Sequence, residues 1–318
     1  MNYLYCHSMR GLKKCEKRSQ KIYRDRGCKK EDYVRQYKSK ISEGLHITTQ
    51  KKGRVSMPAT YAHYKFGKKV YRALPGELRE MIKENKAAYL LGLHGPDLLF
   101  YYHPYSKNRI NQLGVKMHEE TARSFFEKAR KQYQKRPNYV LLSYLCGFMC
   151  HYMLDSECHP YISRYMDERE LGHLEIETDF DRELMIEDGK DPLTNNCTRH
   201  LIRDLDTEEA IASVLEDVSA DQVDACILGF KKTIRMFQCP SKAKAKLLKG
   251  FFTLIGQKKG LGGLVMDGQV NLECVESGMT LERLLNRAVE PTTEEIIKYV
   301  RAVSNDSGLS ERLNRDFE

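Results

Sequence analysis

A nearly unbroken apolar segment, CGFMCHYMLDSECHPYI at residues 146–162, carries three polar side chains at regular spacing. His151, Asp155 and His159 follow one another at intervals of four residues, so an α-helix places all three on one face. Polar groups inside a core are costly unless another group pairs with them. The apolar run at 140–154 is short for a membrane span and ends at Asp155, which favours a buried core helix. A metal ion held by imidazole and carboxylate groups would pair with all three side chains at once.

Helical periodicity continues through most of the chain downstream of Met57. Apolar residues recur at helical spacing in segments such as 117–136 and 220–237, and no stretch alternates as a strand does. Thr292, with Glu295 three residues later, has the pattern of an N-cap that begins a separate C-terminal helix. The sequence therefore predicts an all-α fold, a multi-helix bundle without internal repeats.

The basic residues are concentrated near the N-terminus. The 318-residue chain has a formal net charge of +9, yet residues 1–56 hold 16 Lys and Arg against 5 Asp and Glu. This leaves residues 57–318 with a net charge of −2, which argues against a nucleic-acid binder. We interpret the basic character as belonging to residues 1–56 alone. Those residues show no sustained apolar stripe, which predicts a disordered extension or a solvated helix.

Residues 1–56 also lack the continuous apolar stretch of a secretory signal, so a cytoplasmic location is expected. The ten cysteines are scattered and contain no CxxC pair, which fits free thiols rather than a zinc ribbon. A Lys-Lys-Gly-Arg run at 51–54 shortly precedes Met57, and its codons can be purine-rich, as bacterial ribosome-binding sites are. We therefore hypothesise that translation starts at Met57 and that the preceding residues are not part of the native chain.

Histidines are clustered in one part of the sequence. Seven of the ten lie within about a third of the chain: His63, His94, His103, His118, His151, His159 and His173. His173 and Glu177 repeat the four-residue spacing on a second predicted helix. Because Pro160 disfavours helical backbone at the residue before it, His159 is expected at the end of its helix or just past it. A single histidine with a carboxylate four residues later arises often by chance, but two such pairs with further histidines nearby predict a metal site.

Four segments carry a more specific resemblance: AHYKFG (62–67), GPDLLFYY (95–102), HYMLDSECHP (151–160) and HLEIETDFD (173–181). Together with His118 they give the order His, Asp, His, HxxxD, His, HxxxE. Over roughly Met57 to Leu184, the chain resembles the bacterial zinc-dependent phospholipase C family, whose fold is shared with the fungal single-strand-specific zinc nucleases. The resemblance implies a helical bundle that holds three zinc ions in a cleft.

The resemblance also implies the metal ligands: His63, Asp97, His118, His151, Asp155, His159, His173 and Glu177. In the family the carboxylate of the HxxxD motif, here Asp155, bridges two metal ions. Asp97 completes the first site and touches the attacking water, so it is the expected catalytic residue. His118 is our choice for the remaining first-site histidine, and His103 is its competitor because the loop length differs from that of the secreted enzymes. His94 is expected to be structural and to line the loop before Asp97.

One departure from the family concerns the third zinc ion. The secreted members bind it with the amino group and carbonyl of an N-terminal Trp, and this chain contains no Trp. A chain that starts at Met57 would expose Pro58 after Met removal, and that amine would lie five residues from His63. If residues 1–56 are present, no free amine lies there. The expected metal content is therefore two to three zinc ions.

These features predict a zinc-dependent phosphoesterase, a phospholipase C-like hydrolase that uses metal-activated water. Residues 57–205 are expected to form the catalytic core, and residues 206–318 to form helices that pack on it. The substrate is expected to be a phosphoester. Phospholipid is one candidate, although no amphipathic lipid-binding helix is evident in the sequence.

Two alternatives remain at this point. A nuclease-like phosphodiesterase acting on single strands would need aromatic stacking platforms and a basic groove. The candidates for stacking are Tyr61, Tyr64, Tyr101 and Tyr102. The charge of residues 57–318 argues against this activity, so nucleic acid is not an expected partner. The other alternative is a non-catalytic, zinc-stabilised helical protein that keeps the same ligands.

Overall fold

A computed structural model describes residues 59–104, 106–266, 268–305 and 307–317. This part of the chain folds into α-helices joined by turns and short 3-10 helices, so the predicted all-α class is confirmed. Its β-structure consists of an isolated parallel bridge between Gln238 and Met266. The predicted extension at residues 1–56 and the hypothetical start at Met57 lie outside the described residues.

The α-helices of the described residues are α1 (Thr60–Ala73), α2 (Gly76–Glu84), α3 (Lys86–Gly92), α4 (Arg109–Glu119), α5 (Ala122–Lys135), α6 (Tyr139–Arg169), α7 (His173–Glu187), α8 (Leu205–Ala212), α9 (Ala220–Phe237), α10 (Lys242–Leu254) and α11 (Val275–Asn305). Short 3-10 helices cover Gly95–Tyr101, Leu261–Leu264, Leu272–Cys274 and Glu311–Asn314. None of the described helices combines the length and the apolar character needed to cross a membrane. The cysteines that the structure describes are buried free thiols.

Helix α6 lies at the centre of the fold, and most of its 31 residues are buried. Helices α1, α3 and α11 pack against it. The contact with α3 is close because each helix has a glycine at the crossing. A Cβ atom on Gly147 would lie 2.2 Å from the carbonyl oxygen of Tyr89. One on Gly92 would lie 2.2 Å from the carbonyl oxygen of Tyr144. The two glycines therefore allow the backbones to touch where a larger residue would separate them.

Helix α6 does not end near Pro160, so the predicted position of His159 at a helix end is wrong. Proline removes one backbone donor and disfavours helix at the preceding residue. Tertiary contacts beyond the proline outweigh this local cost. Tyr165 is buried, and its hydroxyl donates a hydrogen bond to the carbonyl oxygen of Glu273 at 2.6 Å. His159 consequently lies within the helix.

The predicted helix start at Thr292 is also wrong. Helix α11 runs unbroken through Pro291 and Thr292, and Leu285 and Ile296 on either side of the proline are both buried. The Thr292 hydroxyl donates a hydrogen bond to the carbonyl oxygen of Ala288 at 2.7 Å. Because Thr292 is fully buried, its hydroxyl needs a partner, and the carbonyl one turn back provides it.

Helix α11 joins the C-terminal part of the chain to the rest of the fold. It packs on α1, α5, α6 and α7. The hydroxyl of Tyr299 on α11 donates a hydrogen bond to the carbonyl oxygen of Phe126 on α5 at 3.0 Å. The division of the chain at residue 205 stays a prediction.

Candidate metal centre

The predicted ligands meet at one place in the fold, from α1, α4, α6, α7 and the 3-10 helix Gly95–Tyr101. Two adjoining groups form there, and in each group one ligand atom per residue lies within 4.8 Å of the others. The first group is His63, Asp97, His151 and Asp155, and the second is His159, His173 and Glu177. His118 adjoins the first group through Asp97. All of these residues are buried except His173, which is partly exposed.

Asp155 lies between the two groups. Its Oδ2 is 3.0 Å from Nε2 of His151, one turn earlier on α6. Its Oδ1 is 3.2 Å from Nε2 of His63 on α1, and 3.8 Å from Nε2 of His159. One buried carboxylate therefore faces ligand atoms of both groups, as a bridging carboxylate would.

Two members of the second group, His173 and Glu177, lie near the start of α7, and the third, His159, lies on α6. Helix α7 begins at His173, directly after Gly172. Oε1 of Glu177 is 3.1 Å from Nε2 of His173 and 3.8 Å from Nε2 of His159. The side chain of His173 is 12% exposed, against 8% or less for the other predicted ligands. His173 is therefore the predicted ligand nearest to solvent, although both of its ring nitrogens are buried.

Asp97 is placed by a turn that begins at Gly95. Gly95 has φ 47°, and a Cβ atom there would lie 2.2 Å from the ring of His151, so the turn requires glycine. Oδ1 of Asp97 is 3.1 Å from Nε2 of His118, and Oδ2 is 3.7 Å from Nδ1 of His151. The Nδ1–H of His118 donates a hydrogen bond to the carbonyl oxygen of Gly114 at 2.8 Å. That bond leaves Nε2 of His118 facing the Asp97 carboxylate.

His103, the competitor of His118 in the sequence analysis, lies away from this cluster. It is exposed and has the left-handed backbone angle φ 45°. Its ring contacts that of Tyr102, with 4.5 Å between the ring centroids. The structure thus places His118, and not His103, beside Asp97.

Many nitrogen and oxygen atoms of the cluster are buried without a well-aligned hydrogen bond, although several of them lie close to one another. They include Nδ1 of His63, Oδ1 of Asp97, Nε2 of His118, both ring nitrogens of His151 and of His173, and Oε2 of Glu177. Leaving a buried polar group unpaired costs about 1–3 kcal/mol, and more if it is charged. A cation between these atoms would satisfy several of them at once. Zinc is commonly bound by imidazole nitrogen and carboxylate oxygen, so the donor set fits zinc.

Asp155 and Glu177 are ionised in spite of their burial. Burial raises the pKa of Asp155, but the surrounding histidines, His151 foremost, outweigh it and hold this pKa well below its usual range. Burial likewise opposes ionisation of Glu177, yet His173 and His159 lower its pKa to about 2. Burial lowers the pKa of His159, but Asp155 and Glu177 raise it to about 9. At neutral pH a cation that binds here displaces a proton from His159.

His94 pairs with His200, a residue that the sequence analysis missed. Their Nε2 atoms are 2.8 Å apart, so one ring donates a hydrogen bond and the other accepts it. Burial lowers both pKa values, that of His200 to about 3, so both rings are neutral. Tyr64 stacks on His200 with 4.4 Å between the ring centroids. His200 lies outside the described helices, so no helical spacing could have linked it to the other histidines.

Asp181 on α7 is a second residue that the sequence analysis missed. Its oxygens accept hydrogen bonds from the backbone N–H groups of Tyr61 at 2.8 Å and Ala62 at 2.7 Å. These donors belong to the first turn of α1, which has no side-chain cap of its own. Asp181 therefore caps α1 from 120 residues away and fixes the backbone immediately before His63.

Asp181→Ala is expected to lower both the stability of the protein and its metal affinity. It leaves two buried N–H donors without an acceptor, at about 1–3 kcal/mol each, and it releases the start of the helix that carries His63. Chemical denaturation of the metal-free protein measures the first effect, and zinc titration measures the second. Asp188→Ala is the control, because Asp188 binds side chains of α1 (the Tyr61 hydroxyl and the Lys65 ammonium) but none of its backbone donors. Equal losses in the two variants would contradict the capping role.

Comparison with protein-family models agrees with this geometry. The model described as zinc dependent phospholipase C matches residues 62–227, which is more than half of the chain. This range includes every ligand predicted from the sequence. No significant match was found among curated proteins or among solved structures. The resemblance noted in the sequence is confirmed, and the chain belongs to the zinc-dependent phospholipase C family.

Proposed function

We propose that the protein is a hydrolase that binds zinc at this centre and cleaves a phosphate ester with metal-activated water. Membership of the family supports zinc dependence and phosphoester chemistry at the family level. The observation that carries the proposal is Asp155, a buried carboxylate whose two oxygens face two groups of ligand atoms. Neighbouring metal ions that share a carboxylate are suited to hold a phosphate group and a water molecule together.

The proposed sites are based on the two groups of ligand atoms, with His118 taking the place of His63 in the first site and Asp155 shared between both. The first site comprises Asp97, His118, His151 and Asp155. The second site comprises Asp155, His159, His173 and Glu177. His63 faces the same Asp155 oxygen as His159, and we assign it to a third site. Because the N-terminal Trp of the secreted family members is absent, occupation of that third site depends on another ligand beside His63.

Zinc, when bound, supplies a Lewis acid that activates water and polarises a phosphoryl oxygen. We assign Asp97 to orient the attacking water and accept its proton, since its buried carboxylate lies at the first site beside His118 and His151. Nε2 of His118 would hold the same ion as Asp97, and the bond from its Nδ1–H to the Gly114 carbonyl keeps the imidazole in place. The substrate enters beside His173, the most exposed of the predicted ligands.

The nuclease alternative has less support. Among its candidate stacking residues, Tyr61 and Tyr101 are buried, with 2% and 0% of their surfaces exposed. The ring of Tyr101 stacks on Phe230 with 4.0 Å between the centroids, so its face is occupied. Tyr64 stacks on His200. These rings are occupied by other side chains or removed from solvent, and stacking on the bases of a single strand requires free ring faces.

Metal analysis combined with a substrate panel tests the proposal. The full chain, purified without chelator, is expected to carry about two to three zinc ions and to hydrolyse a phosphomonoester, a phosphodiester or a phospholipid. Chelation should abolish hydrolysis, and added zinc should restore it. Less than one zinc ion per chain would refute the site. Full zinc content without hydrolysis would instead favour the non-catalytic alternative, and cleavage of single-stranded DNA alone would favour the nuclease.

A further inference from the structure

Helix α10 carries an exposed apolar stripe, here called the docking face: Leu247, Phe251 and Leu254. Their exposed fractions are 74%, 53% and 86%, and Ile255 directly after the helix is 48% exposed. The spacing of four and three residues places the three side chains on one side of the helix. Large apolar side chains exposed together in this way indicate an interaction surface.

A different side of α10 holds the helix to the fold. Ala245 and Phe252 are buried, and Leu248 is half-buried. Phe252 stacks on Phe237 of α9 with 5.5 Å between the ring centroids. The docking face therefore takes no part in the core packing. Because apolar residues lie on both sides of α10, its sequence did not reveal an amphipathic lipid-binding helix.

The docking face lies in a strongly basic stretch of sequence. Residues 225–266 contain nine Lys and Arg and no Asp or Glu, so the interpretation that confined the basic character to residues 1–56 is wrong. Lys242, Lys246 and Lys258 are exposed near the docking face. An apolar stripe accompanied by lysines is the composition of helices that lie in a bilayer interface. An anionic lipid surface complements this charge, whereas a second copy of the same face would repel it.

The segment that follows α10 packs at the mouth of the metal centre. A Cβ atom on Gly172 would lie 2.1 Å from the carbonyl oxygen of Lys259. One on Gly263 would lie 2.7 Å from the backbone nitrogen of Glu175. Both contacts are at the start of α7, next to the partly exposed His173. A short packed segment therefore connects the docking face to the side of the centre on which His173, the ligand nearest to solvent, lies.

We propose that α10 binds the surface of an anionic phospholipid bilayer, with the docking face inserted among the headgroups and the nearby lysines against lipid phosphates. This contact would hold the start of α7, and with it His173, close to the lipid surface. The membrane contact rests on α10 and does not depend on the proposed function.

Vesicle flotation of the full chain tests the membrane contact. Phosphatidylcholine vesicles that contain phosphatidylserine are expected to bind the protein, and high salt is expected to weaken this binding. The triple variant Leu247→Ser, Phe251→Ser, Leu254→Ser is expected to bind at least about tenfold more weakly, because the apolar contact is lost. The control Ile202→Ser, Leu205→Ser replaces exposed apolar residues elsewhere and should bind as the unmodified protein does. Circular dichroism verifies that each variant is folded.

Equal vesicle binding by the triple variant and the unmodified protein would overturn the proposal, and so would a complete absence of binding. A dimer that forms in the unmodified protein and is lost in the triple variant would overturn it as well, since the docking face would then bind a second copy.

Hydrolysis of a soluble short-chain phosphoester is measured in parallel, and the triple variant should retain this activity. That measurement distinguishes a failure of the membrane contact from a failure of the proposed function. Hydrolysis without vesicle binding would refute the membrane contact alone. Vesicle binding without hydrolysis of any ester would refute the proposed function and leave the contact standing.

Discussion

Asp155→Asn is expected to lose zinc more completely than any other single ligand substitution, and to lose hydrolysis with it. Oδ2 of Asp155 lies 3.0 Å from Nε2 of His151 in the first group, and Oδ1 lies 3.8 Å from Nε2 of His159 in the second. An amide carries no charge and has one oxygen, so it cannot serve two cations. Loss of a residue that merely supports a ligand lowers metal affinity about 10–100-fold, and we expect a loss of more than about a hundredfold here. Zinc titration of the metal-free variant measures it.

Two further variants make this result interpretable. Asp167→Asn makes the same chemical change at an exposed position of α6 and should retain full zinc content. His159→Ala removes one ligand of the second group and should leave the first group able to bind. Full zinc and activity in Asp155→Asn, together with loss of both in His159→Ala, would mean that the bridging carboxylate lies elsewhere. Circular dichroism separates metal loss from unfolding, because breaking a buried charge cluster can also cost about 3–5 kcal/mol.

Gly147→Ala is expected to destabilise the protein by about 3 kcal/mol or more, which is large for the addition of one methyl group. The new Cβ atom would lie 2.2 Å from the carbonyl oxygen of Tyr89. A clash with backbone cannot be relieved by a change of rotamer, so α3 and α6 would have to move apart. Because α6 carries three of the predicted ligands, zinc affinity should fall as well. Denaturant titration with and without zinc measures both effects.

Gly250→Ala provides the matched control for this substitution. Gly250 also lies inside a helix, but a Cβ atom there would meet nothing within 4 Å. The change should be neutral or stabilise the protein by about 0.5–1 kcal/mol, because alanine favours helix more than glycine does. If both variants were equally stable, the close crossing of α3 and α6 would not depend on glycine.

Local spacing was sufficient to predict the pairs of polar residues that lie within one helix. His151 and Asp155 on α6, and His173 and Glu177 on α7, are each four residues apart, and their facing atoms are 3.0 Å and 3.1 Å apart. A single helix places such residues on one face with their Cβ atoms about 5–6 Å apart, so spacing alone predicts that these side chains can meet.

Predictions failed where a local preference competed with packing. Pro160 and Thr292 both favour helix boundaries, yet α6 and α11 continue through them. Buried residues on both sides of each position stabilise the longer helix by more than the local preference costs. The sequence analysis also found no amphipathic lipid-binding helix at α10. Apolar residues lie on both sides of this helix, so its sequence does not distinguish the side that faces the core from the side that faces solvent.

The sequence by itself determined the helical class and the kinds of side chain available for a metal centre, since both follow from spacing and side-chain chemistry. The tertiary structure alone decided which of those side chains meet. It brings His63 to Asp155, places His118 rather than the exposed His103 beside Asp97, and lets Asp181 cap a helix 120 residues away. Such contacts depend on how several helices pack around α6, and no pattern within one segment of the chain specifies that packing.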